Sequence, residues 1–202
     1  MVWINWLIFS HYQFTKSDLD LPRENCRKIV NMKTTIIIIV SLSLLNSCGP
    51  GNSLQKGQAT PIEVVKKVHK AAALLANKDI NGLEIIRDSA SEFKWKDTYI
   101  FVVNCEKDLV MANSAFPERE GGDIKQHTDY NGKRYGLKLC DTAKRPGGDW
   151  VEYVWLKPGG ARPLRKISYV ISVKGLPYQV GAGIYNEDIS IEELRQLTES
   201  YR

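Results

Sequence analysis

The chain has 202 residues, a length that suits one ordinary domain. Its 43% apolar and 25% charged residues are typical of a globular protein. The net charge of +5 is mild and comes without an arginine stripe or a lysine run, so nucleic acid is not indicated as a partner. None of the four cysteines forms a C-x-x-C pair, which argues against metal-knuckle and thioredoxin-like sites.

An apolar segment near the amino end resembles a bacterial lipoprotein signal peptide. Lys33 precedes an apolar run that is too short to span a bilayer, and the segment ends in the lipobox-like sequence LNSC. We predict a signal peptide over residues 32–47 and lipidation of Cys48; an ordinary signal peptide cut nearby is the alternative. We interpret residues 1–31 as an upstream extension absent from the mature protein, although a genuine extension is also possible.

The residues after the cleavage site predict where the protein is anchored. Acyl chains on Cys48 would hold it at a membrane surface. In lipoproteins that this segment resembles, a residue such as Gly49 permits transport to the outer membrane, so we expect the periplasmic side of the bacterial cell envelope, with the outer membrane favoured. Residues 48–60 are rich in Gly, Ser, Asn and Gln and predict a flexible tether.

Residues 61–202 carry the signals of one folded domain. Thr60, Pro61 and Glu63 form a capping-box pattern that begins a helix reaching about Asn77. A short helix at 82–88, a loop at 114–129, a helix at 132–144 and a final helix at 190–197 follow, with strands predicted at 98–104, 109–113, 150–157, 165–173 and 177–185. Because the strand links are short apart from one crossover, we infer an α+β fold with a five-stranded antiparallel sheet, a long N-terminal helix and flanking helices.

Aromatic residues concentrate in the last three strands. Alternation places Tyr153 and Trp155 on one face of their strand, and it places Tyr169 with Ile167 on one face of the next. Tyrosine suits a pocket that is apolar but needs a hydroxyl. Ordinary core packing is the alternative explanation for each of these rings.

Several of these segments together resemble a single Cache domain, a PAS-like extracytoplasmic sensor. The matching segments occur in the family's order over about residues 61–197: YIFV at 99–102, MAN at 111–113, DYNGK at 129–133, WVEYVW at 150–155, KISYV at 166–170 and GAGIY at 181–185. The resemblance implies a small-molecule sensor, and it implies a small organic anion, a short carboxylate above all, as the ligand.

The resemblance also implies which residues bind. Lys166 would pair with the anion, Tyr153 and Tyr169 would donate hydroxyls, and Trp155 would form a wall. Tyr99 and Tyr185 would line the site, with His127 as a lid contact. By strict alternation Lys166 faces away from Tyr169, so this grouping needs a strand twist or bulge between residues 164 and 167, unless Lys166 acts at the end of the strand. Arg165 is the competing cation, and a solvated surface position is the alternative for Lys166.

The remaining features bear on function class. No apolar span follows the last strand before Arg202, so we expect a binding lipoprotein that serves a partner receptor or transporter and has no output domain. A Cache scaffold whose pocket is filled by the 116–124 loop is the first alternative. A periplasmic hydrolase is the second, but no catalytic, metal or cofactor motif supports it, and we expect no enzymatic activity.

Two cysteines remain after the predicted cleavage. Cys105 ends the first predicted strand, and Cys140 lies in the crossover helix that should cover the sheet. Since thiols outside the cytoplasm tend to oxidise, a disulfide between them is feasible. Two unpaired, buried cysteines are the alternative.

Overall fold

The computed structural model describes residues 57–202. The predicted extension, signal peptide, lipidated Cys48 and most of the tether lie outside the described residues. At the end of the predicted tether, Ala59 is only 4% exposed and its backbone N–H donates to Asp97 Oδ1 at 2.8 Å. The tether prediction is therefore too long, because the chain is already packed at this residue.

The long first helix, α1, spans Pro61–Lys78. Thr60 Oγ1 accepts from the Glu63 N–H, and the Glu63 carboxylate accepts from the Thr60 N–H, so the predicted capping box is confirmed. The short helix α2 spans Ile80–Arg87 and begins two residues before its predicted start.

The main sheet has five antiparallel strands, as predicted, in the order β4-β3-β7-β6-β5. Their bounds are β3 Phe101–Asn104, β4 Leu109–Asn113, β5 Asp149–Leu156, β6 Pro163–Ser172 and β7 Tyr178–Tyr185. The predicted strand 98–104 is divided: Thr98–Tyr99 is β2, and it pairs with β1, Lys94–Trp95, in a separate hairpin. The turn between them has Lys96 at φ 48, and strands of two residues are too short to give a periodic signal.

Each face of the sheet covers its own core. On one face, α1 packs Val65, Val68 and Leu75 against Ile167 and Val180. The opposite face packs against helix α3, Gly136–Ala143, and the loop that precedes it. That second core contains Tyr99, Tyr153 and Trp155 of the predicted site, together with the rings of Phe101 and Tyr135.

Two contacts fix helix α3 and its loop to the sheet, and a third joins the helix to the loop. Asp129 is buried, and its carboxylate accepts from the Val154 N–H on β5 at 3.0 Å. A side chain at Gly136 would collide with the Ile124 carbonyl, so glycine permits the close approach of these two segments. Cys105 and Cys140 form a disulfide, with their Cα atoms 5.9 Å apart. These contacts hold residues 114–143, which we call the cover, in place over the sheet.

Removing this disulfide is expected to weaken the domain. In the Cys105→Ser/Cys140→Ser variant, the free energy of unfolding should fall by about 2–4 kcal/mol, because the crosslink limits the unfolded chain over a 35-residue separation. Urea denaturation measures the loss, and thiol reduction of the wild type should reproduce it. Alkylation of Cys105 and Cys140 in the denatured, unreduced protein, located by peptide mapping so that Cys26 and Cys48 are not counted, would contradict the crosslink.

The carboxyl end is bound to β5 through a buried carboxylate. Helix α4 spans Ile191–Thr198 and begins with a capping box at Ser190. Asp149, whose side chain is 3% exposed, accepts from Arg195 Nε at 2.9 Å and from Arg195 NH2 at 2.7 Å. Arg145 also hydrogen-bonds it, and Arg202 lies 3.8 Å away. One carboxylate therefore connects the last helix and the final residue to the sheet.

Candidate ligand-binding site

A cavity of about 30 Å³ lies between the second face of the sheet and the cover formed by residues 114–143. A space of this size holds one or two waters. Residues from the strands and from the cover line it, among them Tyr99, Phe101, Arg119, His127, Tyr135, Tyr153 and Trp155. The protein's own rings fill most of the surrounding volume.

The rings around the cavity pack closely on one another. Tyr135 stacks on Tyr153 with centroids 4.3 Å apart, and its ring is 5.4 Å from that of Trp155. Phe116, from the cover, meets Tyr99 edge to face at 5.4 Å. Such pairs are the favoured aromatic geometries, so the wall is a packed unit that excludes water.

Lys166 is the most unusual residue of this face. Its side chain is fully buried on β6, between Tyr153 on β5 and Tyr185 on β7 in the strand register. Its Nζ lies 4.0 Å from the centroid of the Tyr99 ring and 5.6 Å from that of Phe101. Within residues 57–202, Nζ has no hydrogen-bond partner. A buried ammonium is costly unless it is paired, so this lysine is not explained by the protein's own stability.

Burial alters the charge of this lysine. Desolvation lowers the pKa of Lys166 to about 7, although the charge of Asp97 opposes the shift. A substantial fraction of the side chain is therefore neutral near pH 7. Space for the side chain comes from β7: a Cβ at Gly183 would lie 3.0 Å from Lys166 Cε and 2.5 Å from Ser168 Oγ.

Three of the rings around this lysine belong to tyrosines, Tyr99, Tyr153 and Tyr185. Tyr153 OH shares a hydrogen bond with Ser168 Oγ at 2.9 Å, and Tyr185 OH donates to the Leu156 carbonyl at 2.5 Å. Burial raises the pKa of Tyr99 and of Tyr153, so both rings keep their protons at neutral pH. They can therefore donate hydrogen bonds to an anion.

A cation and an imidazole lie on the cover side. The Arg119 guanidinium carbon is 4.8 Å from the centroid of the Trp155 ring, a cation–π arrangement. Burial, together with the charge of Arg119, lowers the pKa of His127, which is therefore largely neutral at pH 7. His127 Nδ1 is 3.5 Å from Tyr135 OH.

The structure brings most of the predicted site residues together. Tyr99, His127, Tyr153 and Trp155 line the cavity, and Lys166 and Tyr185 lie next to the lining rings. No bulge is present in the pairing of β5 with β6, which is regular from Asp149 to Leu156. Strict alternation therefore holds, and Lys166 and Tyr169 lie on opposite faces of β6.

Tyr169 and Arg165 lie on the opposite face. Tyr169 packs against Trp150 with centroids 5.4 Å apart, under α1, and its hydroxyl is 3.4 Å from His69 Nε2. Arg165 pairs with Glu152 at 2.7 Å. The structure thus separates Tyr169 from the other predicted ligand contacts and leaves Lys166 as the buried cation of the cavity's face.

Three residues that contact the rings of this site were not among the predicted site residues. Phe116 and Arg119 lie in the 116–124 loop, which entered the predictions only as a segment that could fill the pocket and which has no hydrophobic period. Tyr135 directly precedes Gly136, the first residue of α3, and was not predicted as part of the pocket wall. Its role depends on how this segment covers Tyr153, which no local pattern shows.

The lowered pKa of Lys166 gives a pH dependence of stability. The pKa of Lys166 is about 7 in the folded protein and has its ordinary value of 10.5 in the unfolded chain. At pH values between these two, the unfolded chain binds a proton at Lys166 that the folded protein does not. The free energy of unfolding should therefore rise with pH through this window, by on the order of a few kcal/mol from this residue. Urea denaturation of the wild type and of Lys166→Met, repeated at several pH values, measures this rise as the difference between the two slopes of unfolding free energy against pH. Equal slopes for the two proteins would contradict the lowered pKa.

The described residues were also considered for a membrane-spanning helix and for a metal site. Among residues 57–202, no helix has both the length and the apolar character needed to cross a membrane. The same residues contain no group of three or more His, Cys, Asp or Glu that could hold a metal ion.

The antiparallel sheet, the long first helix and the covered aromatic face define a PAS-like α+β sensor domain. The family model described as Single Cache domain 2 matches residues 52–198, which is most of the chain. The chain therefore belongs to the single Cache domain family, whose members are extracytoplasmic sensors that bind small molecules.

Two curated relatives are signalling proteins. The chain is 27% identical over 104 residues to the methyl-accepting chemotaxis protein McpP of Pseudomonas putida, covering 52% of this chain and 19% of that protein. It is 33% identical over 95 residues to the sensor histidine kinase MctS of Rhizobium johnstonii, covering 46% and 20%. The matched region thus spans about a fifth of each relative.

Solved structures support the fold. A methyl-accepting chemotaxis protein from Vibrio parahaemolyticus gives a TM-score of 0.53 at 21% identity, covering 63% of this chain and 89% of that one. A Cache chemosensory domain described for carboxylic acid recognition gives 0.54 at 21%, covering 62% and 92%. The periplasmic sensor domain of a chemotaxis protein gives 0.54 at 26%, covering 68% and 100%.

Proposed function

We propose that this domain binds a short carboxylate on the covered face of its sheet, with Lys166 as the counter-charge. The observation that carries the proposal is the buried Nζ of Lys166, which has no hydrogen-bond partner within residues 57–202 and lies among aromatic rings beside a cavity. An anion there would give the ammonium the partner that it lacks. Tyr99 and Tyr153, whose rings lie 4.0 and 6.0 Å from Nζ, are the proposed hydroxyl donors, Tyr185 lines the site, and Trp155 is the wall.

The size of the cavity limits the ligand. A volume of about 30 Å³ does not admit a metabolite of more than a few atoms without movement of the cover. Phe116 and Arg119 are the half-buried cover residues whose side chains touch the rings of Tyr99 and Trp155. We infer that their displacement opens the site and that the Arg119 cation then assists in holding the carboxylate.

The relatives support this class of ligand. McpP and MctS are by name a chemoreceptor and a sensor kinase, and one structural neighbour is a Cache domain described for carboxylic acid recognition. We further propose a lipid anchor at Cys48 and a location on the periplasmic side of the bacterial envelope, with a partner receptor or transporter that receives the signal. Intact-mass analysis of the native protein tests the anchor: the expected result is a diacylated or triacylated chain beginning at Cys48.

Calorimetric titration tests the ligand class. Propionate and acetate should bind, and propionamide, which has the same shape as propionate but no charge, should not. Lys166→Met should lose this binding, whereas Lys174→Met, which removes an exposed lysine just beyond β6, should keep it. Equal binding of propionate and propionamide would contradict an anion site.

A scaffold without a ligand is the second candidate, and the small cavity favours it. Phe116, Tyr135 and Trp155 already fill the space over the sheet. Under this alternative the cover never opens, and no member of a panel of short acids, alcohols and amides changes the melting temperature. A dose-dependent rise with propionate alone excludes it.

A further inference from the structure

We propose that Lys166 also captures short 2-oxo acids covalently, by forming an imine between its Nζ and the carbonyl carbon. This inference rests on the proposed function, because the carboxylate of the 2-oxo acid would be held in the same site. Its outcome is nevertheless separable from simple carboxylate binding.

The first support is the placement of the amine. Its stem runs along the sheet over Gly183, and its Nζ makes no hydrogen bond or ion pair within residues 57–202, so no internal partner competes with a reacting carbonyl. The four rings around Nζ are those of Tyr99, Tyr185, Phe101 and Tyr153, at 4.0, 5.5, 5.6 and 6.0 Å. Three of them also line the cavity, so the amine is one ring layer from it.

The second support is the protonation state. Only a neutral amine attacks a carbonyl, and a lysine in water is almost entirely protonated at pH 7. Burial lowers the pKa of Lys166 to about 7 and supplies the free amine. Exposed lysines such as Lys70 and Lys174 have no comparable burial.

The reaction balances within the site. The amine nitrogen forms a bond to the carbonyl carbon, and the carbonyl oxygen takes up a proton from the attacking nitrogen. That oxygen then leaves as water with the second proton of the same nitrogen, so the products are a neutral imine and one water. The imine nitrogen becomes protonated by taking one further proton from water. Tyr153 OH and Ser168 Oγ, which are buried and hydrogen-bonded to each other on this face, are the hydroxyl pair that we assign to passing these protons.

The acid group explains why a 2-oxo acid suits this lysine better than a simple ketone. A protonated imine keeps the positive charge of the buried nitrogen, and the adjacent carboxylate neutralises it at contact distance. Access requires the Tyr99 ring, which lies over Nζ, to turn away. That ring rests edge to face on Phe116 of the cover, so opening of the cover and exposure of the amine are coupled.

Reductive trapping tests the proposal. The full chain is incubated at pH 7 with pyruvate and sodium cyanoborohydride, with propionate in place of pyruvate as the matched acid that has no carbonyl. We expect one pyruvate-derived adduct per chain, located at Lys166 by peptide mapping, and none with propionate. Lys166→Arg, which keeps the cation but cannot form an imine, should abolish the adduct, while Lys174→Arg should not.

Each outcome is decisive. An adduct confined to Lys166, and suppressed by excess propionate, supports the imine. Calorimetric binding of propionate and pyruvate without an adduct at Lys166 overturns the imine and leaves the proposed function intact. Absence of binding by either acid overturns both. An adduct distributed over exposed lysines, and unchanged in Lys166→Arg, also overturns the imine.

Discussion

Lys166→Met is expected to abolish carboxylate binding and, at the same time, to raise the melting temperature of the domain. Methionine has a similar length and no charge, so it can occupy the space over Gly183 and among the same rings. It removes a fully buried amine that has no partner within residues 57–202. The stability gained is about 1–3 kcal/mol, which corresponds to a rise of roughly 3 °C or more.

The loss of binding should be large because the charge pair would be desolvated. Truncating one partner of a buried, hydrogen-bonded charge pair costs about 2–5 kcal/mol, so affinity for propionate should fall at least about 30-fold. Differential scanning calorimetry and titration calorimetry on the same samples measure both effects. A lower melting temperature with unchanged binding would show that Lys166 is a structural residue, and Lys174→Met provides the exposed-lysine control.

Asp149→Asn is expected to produce the largest loss of stability among the single substitutions considered. Asp149 is 3% exposed and is bound by Arg195 and Arg145, with Arg202 nearby. Asparagine keeps the shape but leaves these guanidinium groups without a buried counter-charge. Because the Arg195 and Arg145 side chains stay partly exposed, the loss is that of their charge-assisted hydrogen bonds, about 1.5–3 kcal/mol, and α4 should lose its attachment to β5 first.

Acid titration gives the same carboxylate a pH signature. Burial opposes ionisation of Asp149, but hydrogen bonds from Arg195, from the Trp150 N–H and from Arg145 outweigh it and lower the pKa to about 2. The stabilisation is therefore fully present above the ordinary value of 3.8 and is lost as the pH falls toward 2. In urea denaturation, Asp149→Asn should remove this acid-dependent part of the stability.

An exposed pair on α3 is the matched control for Asp149. Asp141 pairs with Lys144 at 3.1 Å, but the two side chains are 76% and 69% exposed. Asp141→Asn should therefore change the free energy of unfolding by less than about 1 kcal/mol. Equal losses in Asp149→Asn and Asp141→Asn would contradict the role given to burial.

Local signals in the sequence were enough to predict most of the fold. The capping boxes at Thr60 and Ser190 act within four residues, so the beginnings of α1 and α4 were readable directly. Alternation in β5 and β6 placed Tyr153 and Lys166 correctly, because it depends only on the pleat of the strand. The β1–β2 hairpin was missed, since its two-residue strands depend on the left-handed turn at Lys96.

The candidate site was less predictable, because it depends on which elements meet across the sheet. Alternation along β6 already indicates that Lys166 and Tyr169 lie on opposite faces of the sheet. Only a twist or bulge in the strand could have brought both side chains to one site. The register shows that no bulge is needed once Tyr169 is assigned to the α1 side. Arg119 reaches Trp155 only through the tertiary path of its loop, and no local pattern carries that information.

Lysine-selective NMR of the Lys166 side chain tests the central claim most directly. With ¹³C-labelled lysine, the Cε resonance of Lys166 reports the charge of Nζ, and Lys166→Arg identifies the signal. We predict that this resonance titrates near pH 7 and shifts to its protonated position when propionate is added at that pH. If the Lys166 resonance does not change at saturating propionate, this lysine is not the counter-charge of an anionic ligand. That conclusion would hold whether or not its pKa is lowered.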